Sequence, residues 1–146
     1  MDRAAHGGCT WRDGVICITD SYAVTPHFNN GYAGIVAADP YYYATIESNS
    51  GSGVQVVYGN WTSRFSGSTV YQIGVKKTSI RDDQKVAYWA ARQIGKPYNY
   101  EFFNINTRSK FYCSQLVWAG YKDVTGVDIG TWDWGSAIHP FELLKS

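Results

Sequence analysis

The strongest constraint on the fold is a division along the chain: the strand-like apolar runs all end by Val75, and the helical spacings all begin after Ser79. Gly14-Val15-Ile16-Cys17-Ile18-Thr19 is the first run, short and apolar enough for a buried strand. Tyr32 to Ala38 is the second, after a polar loop with Pro26 and Asn29-Asn30-Gly31, and Asp39-Pro40 ends it. Tyr41 to Glu47, Val54 to Tyr58 and Thr69 to Val75 follow, with a turn segment from Ser48 to Gly53. Such spacing predicts an antiparallel, meander-like sheet. Ser79 then caps a helix, with Asp82 three residues on, and Asp82 and Asp83 suit the positive end of its first turn. Val86, Ala87, Ala90, Ala91 and Ile94 form its apolar stripe, and Gly95 with Pro97 stops it. Strands first and helices after predict an α+β domain, a single one over residues 1–146 and long enough to bury a core.

A formal net charge of +1 gives no reason to expect nucleic acid or an anionic membrane as partner. No stretch approaches the roughly 20 apolar residues that span a bilayer, and the opening Met1-Asp2-Arg3-Ala4 has no apolar signal core. Cys9, Cys17 and Cys113 form no CxxC and no cluster with histidine, so neither a zinc site nor another cofactor is expected. Cys17 reads as core, a Cys9–Cys17 bridge stays open, and the odd count leaves at least one thiol free. The 12 Tyr, 6 Trp and 6 Phe exceed what a core of this size needs, so Tyr41-Tyr42-Tyr43 and Trp132-Asp133-Trp134 read as groove walls or loop anchors, with core packing the alternative. The sequon Asn60-Trp61-Thr62 carries no weight outside a eukaryotic secretory setting.

The chemistry concentrates in Phe111-Tyr112-Cys113-Ser114-Gln115-Leu116-Val117-Trp118, where a polar, irregular segment turns into a helix. A thiol at a helix start faces unpaired N–H groups and the positive end of the macrodipole, which favour thiolate. The alternative is a cysteine acting as a small apolar core residue. A nucleophile needs a base and a group to orient it. The three histidines are His6 near the N-terminus, His27 in the loop before the second strand, and His139 before Pro140; each also reads as an ordinary surface or turn residue. Glu47, at the end of an apolar strand, can orient a base or serve as a strand-end charge.

Four segments in this order resemble the circularly permuted branch of the NlpC/P60 superfamily, papain-like proteins related to the YiiX and lecithin:retinol acyltransferase groups. They are Arg12 to Thr19, Gly31-Tyr32-Ala33-Gly34-Ile35-Val36, Ala44-Thr45-Ile46-Glu47-Ser48 with the Gly53-Val54 turn, and Gly95-Lys96-Pro97-Tyr98 leading to the Cys113 segment. The tail Ile138-His139-Pro140-Phe141-Glu142-Leu143 is similar to the family's close. The resemblance implies a permuted papain-like fold, its antiparallel sheet packed on helices that include the Cys113 helix. It also implies Cys113 as nucleophile and Glu47 as orienting residue. The family's histidine position falls on Tyr32, a phenol whose ordinary pKa near 10 makes a poor base. Tyr32 is then expected to hold the thiolate or donate to an oxyanion, with His27 as a substitute base; otherwise the groove is kept for binding alone. Tyr112, Ser114, Tyr41 and Trp132 are the expected substrate contacts.

Two functions follow. One is a thiol hydrolase cleaving an amide bond, with bacterial cell-wall peptide the leading substrate and amide or ester lipids next. The other is a weakened or inactive relative that binds through its aromatic groove. Both favour a secreted or cell-envelope setting, and neither fixes an oligomeric state.

Overall fold

The computed structural model describes residues 5–6, 9–20, 31–133, 135 and 137–146. His27, the Pro26 and Asn29-Asn30 loop and Trp134 lie outside the described residues. A small hairpin, β1 (Ala5–His6) with β2 (Cys9–Thr10), precedes the main sheet. That sheet contains β3 (Ile16–Thr19), β4 (Tyr32–Val36), β5 (Ala44–Asn49), β6 (Gly53–Tyr58) and β7 (Val70–Ile73), in the spatial order β6-β5-β4-β3-β7 with every neighbour antiparallel. Helices α1 (Trp61–Arg64), α2 (Ile80–Ala91) and α3 (Cys113–Thr125) and a closing 3₁₀ helix (Pro140–Lys145) complete it. The α+β class and the antiparallel sheet on helices are as expected.

Strand alternation sorts the side chains into two layers. Ile16, Ile18, Ala33, Ile35, Ala44 and Ile46 join one buried cluster with Val86, Ala90, Leu116 and Val117 of α2 and α3. Val15, Cys17, Tyr32 and Val36 join a second, with Trp61, Phe65 and Cys113. Helix α2 starts as its sequence predicts: the Ser79 hydroxyl accepts from the Asp82 amide, and the Asp82 carboxylate accepts from the Ser79 amide, 3.1 Å each. Its neighbour α3 is buried from Cys113 to Tyr121. Gly120 is what lets the two helices close up, since a Cβ there would meet Val86 at 3.0 Å and Trp89 at 3.1 Å. Full burial of one such side chain, Leu116 for example, contributes about 1.5–3 kcal/mol.

Several boundaries differ from the sequence reading. Tyr41–Tyr43 are not strand: the chain leaves a cis Asp39–Pro40 bond, Tyr43 takes a left-handed φ of 57°, and β5 begins only at Ala44. Glu47 is therefore inside β5 and fully buried, not at its edge. Ile94 lies beyond the end of α2 and is 37% exposed, outside the stripe it was assigned to. Asp83 does more than face a helix dipole: its carboxylate is buried and paired with Arg12 at 2.7 Å. Cys17 is buried in the second cluster, as its reading as core expects, and the Cys9 side chain lies outside the described residues.

One irregularity in the sheet makes room for a site. The β3–β4 ladder runs through four pairs, from Ile16↔Ile35 to Thr19↔Tyr32, and β5–β6 through six. Between them β4 and β5 pair only at Ile35↔Ile46 and Val36↔Thr45. Past those pairs the two strands part, and the start of α3 enters the gap: the Ser48 hydroxyl donates to the Phe111 carbonyl at 2.5 Å, and the Ala33 amide turns to the Cys113 sulfur.

Candidate active site

Cys113 is the first residue of α3, preceded by Tyr112 in an extended conformation. The turn into the helix is held by polar groups. Gln115 Oε1 accepts from the Tyr112 amide and from Asn99 Nδ2, 3.0 Å each. The Tyr112 hydroxyl donates to the Phe102 carbonyl and accepts from the Ile138 amide, 2.9 Å each. Ser114 donates to the Ile138 carbonyl. Tyr112 and Ser114 are fully buried, so the two residues expected to touch substrate here present no polar atom to a ligand; they brace the segment carrying the thiol.

The helix start does not make Cys113 a thiolate. Burial pushes the thiol up to about 11, against the pull of the Ala33, Ser114 and Cys113 amides towards the charged form. Desolvation therefore outweighs the local dipoles that the sequence reading relied on.

Tyr32 shares the Cys113 cluster, with its ring stacked on Trp61 at 5.6 Å between centroids. Its hydroxyl donates to Glu47 Oε1 at 2.7 Å. Burial pushes the phenol well above its ordinary 10.0, and the Glu47 charge and hydrogen bond push it further. Glu47 is a crowded acceptor. Arg64 grips it with Nη1 on Oε2 at 2.6 Å and Nη2 on Oε1 at 3.0 Å, and the Thr45 hydroxyl donates to Oε2. Trp61 Nε1 donates to Thr45 Oγ1 at 3.1 Å.

Helix α1 delivers two of these groups from four residues. Trp61 and Arg64 lie three apart on one helical face, so the buried indole and the guanidinium reach the same spot. The Arg64 guanidinium lies 4.9 Å from the Phe65 ring centroid, and its charged form is favoured by the hydrogen bond and charge of Glu47 despite desolvation. Gly34 leaves the space: a Cβ there would lie 2.9 Å from Trp61 and 3.0 Å from Glu47. Arg64, Thr45 and Trp61 were not foreseen from the sequence. The one available signal was the Trp61–Arg64 spacing, too short a helix to stand out.

The structure thus brings Cys113, Tyr32 and Glu47 together. Tyr41, Tyr42 and Tyr43 do wall a pocket, with Trp11, Asp13 and Asp39, but Cys113, Tyr32 and Glu47 do not line it. Tyr41 packs against the main core, Tyr43 meets Trp11 edge-on at 5.7 Å, and Trp132 meets Trp118 at 6.1 Å with a left-handed φ of 66°. His139 is buried at the N-cap of the 3₁₀ helix, where Nδ1 accepts from the Phe141 amide at 3.1 Å.

Residues 14–135 match the family described as permuted papain-like amidase enzyme, YaeF/YiiX, C92 family. The uncharacterized protein YycO of Bacillus subtilis is 28% identical over 141 residues, covering 91% of this chain and 52% of that protein. The uncharacterized protein YiiX of Escherichia coli is 38% identical over 52 residues, 36% of this chain and 25% of that protein. The chain therefore spans about half the length of one curated relative and a quarter of the other in these matches. The crystal structure of the metalloprotein YiiX from Escherichia coli O157:H7 shares the fold, with a TM-score of 0.58 at 21% identity over 82% of this chain and 71% of that one. Among the described residues of this chain, no three His, Cys, Asp or Glu side chains come together as a metal cage. Among the described residues no helix is long and apolar enough to cross a membrane. With the family matched over most of its length and its sheet, helices and first-turn cysteine arranged in this way, the chain belongs to the permuted papain-like amidases of the YaeF/YiiX family.

Proposed function

We propose that the protein hydrolyses an amide bond through Cys113, slowly, with cell-wall peptide as the substrate class. The observation that carries this reading is the position of the sulfur: first residue of a buried helix, in the opening between β4 and β5, with the Ala33, Cys113 and Ser114 amides turned to it. Donors that favour a thiolate are also placed to receive the oxyanion that forms when sulfur attacks a carbonyl. The sulfur–carbon bond forms as the thiol gives up its proton. The amide carbon–nitrogen bond then breaks, and the leaving amine takes up one proton. Water then cleaves the thioester, releasing the acid and restoring the thiol.

Slowness follows from the same site. A thiol at about 11 is ionised in only ~1 molecule in 10⁴ at neutral pH, and its burial means it must be uncovered before it reacts. Tyr32 offers no relief as a base, since a phenol raised above its ordinary range is protonated throughout. Loss of general-base help is worth about 10²–10⁴ in rate.

Those two facts also favour a second reading, a family member that binds amide ligands without cleaving them. Cell-wall fragments and simple acyl-amides incubated with the wild type and Cys113→Ala decide between them. Turnover in the wild type and none in Cys113→Ala supports hydrolysis. Equal, saturable binding by both proteins with no product supports the binding module and ends the hydrolase reading.

A further inference from the structure

We infer that Arg64 is a positioning residue that fixes the direction of the Tyr32–Glu47 hydrogen bond and so keeps the phenol's proton turned away from Cys113. The argument is one of counting protons. Glu47 accepts from both terminal nitrogens of Arg64 and from Thr45, and an ionised carboxylate has nothing to donate. The hydrogen bond at 2.7 Å must then run from Tyr32 to Glu47. Tyr32 has a single proton, and it is committed. With that proton committed, Tyr32 has none left to donate to Cys113, which shares its buried cluster.

The charged and titratable groups that the structure couples to this arrangement are few. Among the described residues, Tyr32 comes from β4, Glu47 from β5, Arg64 from α1, Cys113 from the start of α3 with Tyr112 just before it, itself coupled to Cys113 and Glu142, and the Cys17 thiol from β3, whose charge would act on Arg64. Arg64 is the cation among them, with its side chain 21% exposed against 0% for Glu47. It is also independently anchored, over the Trp61 and Phe65 rings at 5.6 and 4.9 Å. If Arg64 withdraws, a buried carboxylate loses its counter-charge and takes up a proton. A protonated Glu47 can donate to Tyr32, and the phenol's proton is then free to turn to sulfur. Arg64 thereby links the polarity of three groups to one side chain at the protein surface.

The inference rests on the preceding reading only in using Cys113 as reporter, and substrate is not needed to test it. The measurement is the pH profile of Cys113 alkylation by iodoacetamide, followed by mass spectrometry, in folded protein. The wild type should show one ionisation. Arg64→Gln should show a second limb at lower pH, with faster alkylation than the wild type on its acid side, where Glu47 is protonated. Arg64→Lys keeps the charge and should restore the single wild-type ionisation, which a purely structural role would not require. If Arg64→Gln does not fold, Glu47→Gln reads the same polarity. Its amide can donate to Tyr32, so thiolate at a given pH should rise about tenfold, and Tyr32→Phe combined with Glu47→Gln should lose that gain. Profiles of Arg64→Gln or Glu47→Gln that superimpose on the wild type overturn the inference. Such a result leaves amide hydrolysis untouched, just as failure to hydrolyse leaves the Arg64 inference standing.

Discussion

Tyr32 gives its only phenolic proton to Glu47, 2.7 Å away, at the strand position where the sequence resemblance leads us to expect an imidazole. The consequence is specific. A histidine there could take a proton from the thiol, whereas this phenol is raised well above its ordinary range and its proton is already engaged. It serves neither as base nor, in this arrangement, as donor to an oxyanion, which removes one of the roles expected for Tyr32.

The thiol itself gives the first prediction. Iodoacetamide should label Cys113 slowly at neutral pH, with a rate that climbs towards about 11. Cys17, also buried, is the internal comparison. Fast, selective labelling of Cys113 with an apparent pKa well below 8 would mean that the sulfur is uncovered in solution and that desolvation does not govern it.

Stability should depend on pH through the same group. The folded thiol lies above its unfolded value, so between about 9 and about 11 the unfolded chain has lost this proton while the folded one keeps it. Its stabilising contribution is complete below the lower value and is lost as pH rises to the upper one, by about 3 kcal/mol. Tyr32, Tyr112 and Tyr121 are raised as well, chiefly by burial, and extend the decline to higher pH. Urea midpoints measured from pH 8 to 11 should fall less steeply for Cys113→Ser than for the wild type. Parallel slopes would show that Cys113 is not desolvated in the folded state.

The Arg12–Asp83 pair ties the segment before β3 to α2 across 2.7 Å, both side chains nearly inaccessible. Asp83 also accepts from the Thr78 hydroxyl at 2.6 Å, and the Tyr121 hydroxyl, which donates to the Gly14 carbonyl at 2.6 Å, lies 3.3 Å from the same carboxylate. Removing one partner strands a buried charge. Arg12→Ala should therefore cost about 3–5 kcal/mol in urea unfolding, while Arg12→Met with Asp83→Leu should cost much less than Arg12→Ala and Asp83→Ala added together. Additive losses would show that the two charges act independently.

How much of this the sequence carried depends on the range of the interaction involved. The Ser79 cap, the start of α3 at Cys113 and the existence of all five main strands are written in local spacing and came through. Tyr41–Tyr43 did not, because β-branched and aromatic content cannot reveal that Tyr43 adopts a left-handed φ. The thiol's protonation was misread for a different reason: a helix start is visible in sequence, but the burial that overrides it comes from β4, β5 and α1 folding around it. Arg64 was invisible because its partner Glu47 is 17 residues away and its helix only four residues long. The resemblance supplied Cys113 and Glu47 as a pair; nothing local marked the guanidinium that neutralises one of them.

Gly34 tests whether this packing is as tight as the geometry says. It faces Cys17 across the β3–β4 ladder, and its missing side chain is the space into which α1 and Glu47 close. A methyl group there would meet Trp61 Cζ2 at 2.9 Å, Glu47 Cγ at 3.0 Å and the Ile46 carbonyl at 3.3 Å. The carbonyl belongs to the β4–β5 ladder and cannot give, so the displacement must fall on Trp61 and on the Glu47 stem. Gly34→Ala should therefore cost about 1–3 kcal/mol and push α1 outward. Two signals should move together: the near-ultraviolet circular dichroism of the Tyr32–Trp61 stack, and the Cys113 alkylation profile, as Arg64 loosens on Glu47. If stability falls while both signals stay at wild-type values, the strain is relieved elsewhere and α1 is not the element that sets the state of the thiol.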